Sequence, residues 1–285
     1  MEIEARLEAA MPLLEGSAVL ALFFFTLALI EFAWDMTQRR WARIPETLAN
    51  TGIALVNGLL DNTLWGALFV IGLFLAEFGA IAELPVNGWT WLAAIVLADL
   101  TYYLMHRVEH RVRLFWALHV VHHSSPCFDL TTAFRLSWFE GAVEWLFFAP
   151  LVLLGFDPVQ VLIAVIVVVQ YQAWIHTTKI GRLGPLEGVF NTPSAHRVHH
   201  GRNRRYLDRN FGGILMLWDR LFGTYEPEGE DVDYGITTPL NSRNPLVING
   251  HEFVAIVRDV VAAPGWRNRM LTLFAPPGWR PQDGR

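Results

Sequence analysis

Among its 285 residues the chain has one cysteine, Cys127, and one lysine, Lys179. A single thiol excludes an intrachain disulfide and a thiolate-built metal cluster. Charge is also scarce. Asp, Glu, Lys and Arg make up 17% of the chain, against about 25% in an ordinary soluble domain. The net charge of −5 gives no argument for nucleic-acid binding. No internal repeat of about 20–50 residues and no low-complexity tract interrupts the chain.

What is abundant is apolar sequence, 53% of residues with a mean hydropathy of +0.32. It falls in runs: Pro12 to Phe32, Leu48 to Ala80, Val86 to Met105, Phe139 to Phe156 and Pro158 to Ile175. A bilayer core takes about 20 apolar residues per helix. The runs therefore predict an all-α polytopic membrane helical bundle of four to six spans, against the alternative of buried helices in a soluble core. The first run has no basic segment before it and no small-residue cleavage site, so it reads as a span and not as a signal peptide. Trp34, Trp41, Trp89, Trp91, Trp138 and Trp174 stand at expected span ends, where an aromatic belt would place them.

Arginine marks orientation. Arg39, Arg40 and Arg43 follow the first run; Arg107, Arg111, Arg113 and Arg135 lie between the third and fourth; thirteen more arginines follow His176. The alternate connections, "IAELPVNG" and "GFDP", carry none. Five crossings with the N-terminus outside satisfy this distribution. The expected organisation is N-terminal transmembrane helices (1–105), a cytosolic histidine-bearing segment (106–138), a transmembrane hairpin (139–176), a cytosolic helical cap (177–228) and a C-terminal tail (229–285). In the tail, "GHEFVAIVRDVVAA" has one broad apolar side and suits an interfacial helix. Its His251 is isolated and reads as structural or solvated.

Eight of the ten histidines fall into three clusters: "HRVEH" (His106, His110), "HVVHH" (His119, His122, His123) and "HRVHH" (His196, His199, His200). Residues three and four apart share a helix face, so each cluster is expected to present its imidazoles in one direction. Thr192 is a candidate N-cap, Pro193 a first helical residue and Gly201 a terminator, which puts the third cluster on a short helix. Asp99 lies seven residues before His106 on the same face, two turns away, and is expected to support a ligand rather than to bind metal. A lone histidine is ordinary packing. Two copies of H-x-x-H-H and one H-x-x-x-H in one chain predict a metal centre, and eight imidazoles exceed the four ligands of one tetrahedral ion, which predicts two ions. In "HRVEH" the glutamate is displaced from its place in H-E-x-x-H, so a zinc-protease base is not expected. The Glu-x-x-His pairs of soluble di-iron bundles are absent. Imidazole suits iron, zinc, copper and nickel alike. His176, one turn after Gln172, is either an interfacial histidine or a ninth ligand. Cys127 reads as a packed thiol. A metal transporter or a membrane protein with a structural metal remains the non-enzyme alternative, although transport would place ligands in mid-span.

The ordered clusters, interleaved with spans, resemble the membrane fatty acid hydroxylase/sterol desaturase superfamily. The strings "LFWALHVVHHSSPCFDLTTAFRLS", "QAWIHTTKIGRLGPLEGVFNTPSAHRVHHGRN", "RNFGGILMLWDRLFGTYEPE" and "YGITTPLNSRNPL" are similar to its alkylglycerol monooxygenase-like branch, bacterial members included. The resemblance implies two iron ions held by His106, His110, His119, His122, His123, His196, His199 and His200, joined by His176. It implies O2 as co-substrate and oxidation of an unactivated C–H bond on a membrane lipid, by hydroxylation or by desaturation. It implies an electron donor, which is tetrahydrobiopterin in one branch and a reductase, cytochrome b5 or ferredoxin-like protein in others. By motif, Gln172, Asn191 and Asp219 would stand near the centre in supporting roles beside Asp99. The expected setting is a bacterial inner membrane with the histidines on the cytoplasmic side.

Overall fold

The computed structural model describes residues 3–280 as a helical protein. Among the described residues there is no β-strand, only three isolated bridges. The helices are α1 (Ile3–Thr37), α2 (Ile44–Leu60), α3 (Gly66–Glu77), α4 (Gly88–Arg111), α5 (Arg113–His123), α6 (Gly141–Leu153), α7 (Pro158–Tyr171), α8 (Pro193–His199), α9 (Leu217–Phe222), α10 (Pro245–Ala262) and α11 (Gly265–Phe274). A π-helical turn at Asp61–Trp65 joins α2 to α3 without a break.

Three helical stretches are long and apolar enough to cross a membrane: Ile3–Thr37, Trp41–Glu77 and Pro158–Ile175. The expected span from Phe139 to Phe156 is shorter than the sequence suggests. Its helix, α6, has 13 residues, which rise about 20 Å against a hydrocarbon core of about 30 Å. A turn ends it at Leu154, where Gly155 has φ +106° and an added Cβ would lie 2.6 Å from the Ala82 carbonyl oxygen. α4 is longer, at 24 residues, but its last turns carry His106, Arg107, Glu109, His110 and Arg111. It runs unbroken through residue 105.

Two polar clusters mark opposite ends of α1. Arg6 near the start of α1 donates to Glu77 at the end of α3 (2.6 and 2.7 Å) and to Asp157 before α7 (3.0 Å). At the far end of α1, Glu31 accepts from the Leu130 amide (2.7 Å) and the Thr177 hydroxyl (2.6 Å), and Asp35 pairs with Arg43 and Lys179. The ends of α1, α4 and α7 and the starts of α2 and α6 therefore face one side.

The core lies among α3, α4, α6 and α7, where Phe69, Leu73, Ala94, Ala98, Phe148, Val152, Ala164 and Val168 are buried together. Small residues let these helices approach: a Cβ on Gly72 would fall 2.5 Å from the Trp145 ring of α6. Starts are set by side-chain caps. Asn87 accepts from the Trp89 and Thr90 amides at α4, and Asp157 from the Val159 and Gln160 amides at α7, ahead of Pro158. This rigid four-helix packing fixes the position of everything at its histidine-bearing end. Outside it, α10 packs on α5 through Arg113, which Glu252 (2.7 Å) and Asp259 (2.8 Å) hold. α10 turns Val254, Val257 and Val261 outward.

Candidate metal centre

Nine histidines converge where α4, α5, α8 and the end of α7 meet, and all are buried. They form two groups. His106, His110, His119, His123 and His199 offer ring nitrogens within 4.8 Å of one another; so do His122, His176, His196 and His200. The sequence expectation of one direction per cluster needs correction. Residues four apart stay together, as His106 and His110, His119 and His123, or His196 and His200 do. The middle histidine of each H-x-x-H-H goes to the other group, because helix neighbours point about 100° apart. His122 thus leaves α5 for the second group, and His199 leaves α8 for the first.

Outer partners set which nitrogen faces in. Nδ1 of His106 meets the Phe211 carbonyl (2.9 Å), His122 the Arg135 carbonyl (3.3 Å), His176 the Gln172 carbonyl (2.8 Å) and His199 the Arg209 carbonyl (2.9 Å). His119 Nδ1 lies 3.4 Å from Glu140 and 3.5 Å from Glu109. A carbonyl only accepts, so Nδ1 carries the proton and Nε2 presents a lone pair. Those lone pairs then face one another, His106 and His119 at 3.0 Å and His122 and His176 at 3.1 Å, and Nε2 of His196, whose Nδ1 has no partner, lies 2.8 Å from that of His176. Nε2 of His110, His123 and His199 is buried with no hydrogen-bond partner. Opposed lone pairs in a dry interior repel unless a cation sits between them, so the donor set fits metal ions, two of them by its division into groups.

Burial and mutual crowding oppose protonation. The imidazoles of His119, His176 and His199 are held down to about 3, chiefly by burial, and those of His122, His123, His196 and His200 well below the usual range. The contact of His119 with Glu140 is accordingly a hydrogen bond from a neutral ring rather than an ion pair, and Glu109 lies beside it at 3.5 Å without a hydrogen bond. Phe211 closes the first group, 5.1 Å from the His110 ring centre, and Phe128 the second, 4.9 Å from that of His200.

The expected supporting residues meet on one loop. Asp219 accepts from the Phe211 and Gly212 amides (2.8 Å each), Asn191 donates to the Gly212 carbonyl (2.6 Å), and Asp99 accepts from the Ile214 and Leu215 amides and the Trp218 indole. Asp99 touches no histidine; it acts through the loop whose Phe211 carbonyl holds His106. Gln172 holds His176 by its main-chain oxygen, while its amide turns back to Val168 (3.2 Å). Thr192 caps α8 as expected, accepting from the Ala195 amide, and Pro193 opens it. Gly201 does not end α8 by a left-handed turn. It lies past the last helical residue, and a Cβ there would meet the Tyr206 ring at 2.8 Å, so packing demands the glycine. Sequence reasoning missed Glu109, Glu140 and Arg135. Arg135 is 1% exposed and ties α5 to α2 through the Val121 carbonyl, Ser124, Glu46 and Asn50. Its only sequence signal was a charge inside an apolar stretch.

The fatty acid hydroxylase family profile matches residues 91–224, the stretch that carries all nine histidines. The chain belongs to the fatty acid hydroxylase superfamily. It is 37% identical to human alkylglycerol monooxygenase over 266 residues, 92% of this chain and 60% of that protein. It is 36% identical to the Xenopus tropicalis alkylglycerol monooxygenase over 92% of this chain and 59% of that one. A third relative is the ornithine lipid hydroxylase of Rhizobium tropici, 31% identical over 147 residues, covering 50% of this chain and 44% of that one. The chain thus spans about three fifths of the alkylglycerol monooxygenases it matches. No solved structure matches.

Proposed function

We propose that this chain is a membrane-bound, non-haem di-iron oxygenase that uses O2 to hydroxylate the alkyl chain of a membrane lipid, with an alkylglycerol as its first candidate substrate. The observation that carries the reading is the pair of buried imidazole groups with opposed Nε2 lone pairs at one end of an apolar bundle. His106, His110, His119, His123 and His199 would hold one ion, and His122, His176, His196 and His200 the other. Iron with O2 supplies the oxidant for an unactivated C–H bond, which no side chain can.

The residues of the chain supply the rest. Main-chain carbonyls keep His106, His122, His176 and His199 in one tautomer and orientation, and Glu140 does the same for His119. Asp99, Asn191 and Asp219 hold the loop that anchors His106. Phe128 and Phe211 keep water from the rings, which limits side reactions. A lipid already in the bilayer can reach the histidine-bearing end laterally. Arginines flank that end of the bundle, which supports a cytoplasmic position for it. The ligands gather at one end and do not line a path, which speaks against metal transport.

The test is direct. The full chain in detergent is loaded with iron anaerobically and given a reductant, O2 and 1-O-alkylglycerol. Mass spectrometry should find one added oxygen or the aldehyde that an oxidised ether releases; loss of two hydrogens instead would indicate a desaturase. Oxygen-dependent turnover that survives in His200→Ala, which leaves only three imidazoles in the second group, would falsify the reading.

A further inference from the structure

From Pro245 to Phe274 the chain folds back on itself as two helices, α10 and α11, joined through Ala263 and Pro264. Neither helix supplies a histidine to the metal centre. One side of the pair is fastened to the rest of the protein. Ile248 is buried with Ala49 and Ile53 of α2 and Val121 of α5. Asn249 accepts from the Trp138 amide (3.0 Å). Glu252 and Asp259 both take the Arg113 guanidinium of α5, and the Arg113 amide donates to the Ala275 carbonyl (3.1 Å) just past α11. The pair is thus tied to the helix that carries His119, His122 and His123.

The other side is apolar and exposed. On α10, Val254, Val257 and Val261 recur at spacings of three and four, and Val254 is 70% exposed. On α11, Trp266, Met270 and Phe274 recur at a spacing of four, and Trp266 is 78% exposed. Two adjoining helices that each bare such a row form an interaction surface, not a scatter of single residues.

Charge and place say what covers it. Between residues 245 and 280 the acids are Glu252 and Asp259, and both turn inward to Arg113. The arginines are Arg258, Arg267, Arg269 and Arg280, and all are exposed; Arg258 and Arg280 also reach Asp259 (3.2 and 3.1 Å). Apolar rows edged by arginine, with a tryptophan among them, are the composition of a helix that lies in a membrane surface. The location agrees. A Cβ on Gly52 of α2 would lie 3.6 Å from the Pro245 ring, so α10 begins against the candidate span Trp41–Glu77. The exposed Phe139, just before α6, meets Phe253 of α10 edge-on at 5.7 Å. Tryptophan settles at headgroup level, and an arginine beside it reaches out to phosphate.

We propose that α10 and α11 lie in the leaflet at the histidine-bearing end, with the valine row, Trp266, Met270 and Phe274 at the acyl–headgroup boundary and Arg258, Arg267 and Arg269 on the phosphates of anionic phospholipids. The bonds to Arg113 then hold α5, and three of the histidines, at that surface. This placement goes beyond the oxygenase reading and does not depend on it.

The single cysteine makes the test accessible. In a Cys127→Ser chain, bimane is attached at Val257→Cys or at Met270→Cys, both outward positions, with Asp231→Cys on the exposed cap as the control. The full chain is reconstituted into phosphatidylcholine vesicles, with or without about 30% phosphatidylglycerol as the anionic lipid. Quenching is read with shallow doxyl-labelled lipid and with acrylamide in the water. Both hairpin labels should be quenched by the lipid and shielded from acrylamide, and the control should show the reverse. Phosphatidylglycerol should strengthen the lipid quenching, and Arg258→Gln, Arg267→Gln and Arg269→Gln together should abolish that gain. Acrylamide reaching the hairpin labels as freely as the control would overturn the proposal. Shielding from both quenchers, with a doubled mass by light scattering, would give the face to a second copy of the chain and overturn it as well. Equal lipid quenching with and without phosphatidylglycerol would overturn the assignment of the arginines to anionic headgroups.

Discussion

His199 and His200 are neighbours in the chain, yet their rings stand 89° apart and serve different histidine groups. The same holds for His122 and His123, at 87°. Two short helices thereby furnish both groups at once, and damage to one ring should be local to one ion.

The wild-type chain is expected to take up about two metal ions, and His200→Ala about one, because a four-imidazole group reduced to three loses a full tetrahedral set. His199→Ala leaves four imidazoles in the larger group and should keep its ion with about 10–100-fold weaker affinity. Elemental analysis after dialysis against graded chelator separates the two outcomes; equal loss in both variants would contradict the partition.

Asp219→Ala strips the partners from the buried Phe211 and Gly212 amides. Each orphaned donor costs about 1–3 kcal/mol, so thermal unfolding of the metal-free protein should drop by several degrees and His106 should lose its anchor. Asp99→Asn should act in the same direction on Ile214 and Leu215.

Gln172→Ala should do little to metal content, since His176 leans on the main-chain oxygen of residue 172 and any side chain provides that. A loss of metal as large as that in His200→Ala would show that the amide itself takes part.

Acid should destabilise the metal-free fold in a defined window. Imidazoles that protonate near 6.5 in the unfolded chain are held to about 3 in the fold at His119, His176 and His199. Between those values the unfolded state binds more protons, so stability rises with pH. It is fully present above about 6.5 and falls progressively toward about 3. Denaturant midpoints across that range check the slope, and bound metal should delay the loss.

Gly72→Leu should cost about 1–3 kcal/mol or prevent folding, because the added side chain has the Trp145 ring in its way. Trp145→Ala in the same chain should recover part of that loss.

The helical class, the apolar runs and the eight clustered histidines follow from local rules. A run of apolar residues can satisfy its backbone in lipid only as a helix, and imidazoles at spacings of three and four must share or flank a face. The caps at Thr192, Asn87 and Asp157 are equally local. Nothing local, however, says that α4 and α8 meet. Tertiary packing decided that His122 joins His176 instead of His123, that Asp99 serves a loop 115 residues away, and that Glu109, Glu140 and Arg135 stand behind ligands from other helices. It also shortened α6 and gave Gly201 to Tyr206. Long-range pairs of this kind depend on how rigid helices pack, which short-range spacing does not encode.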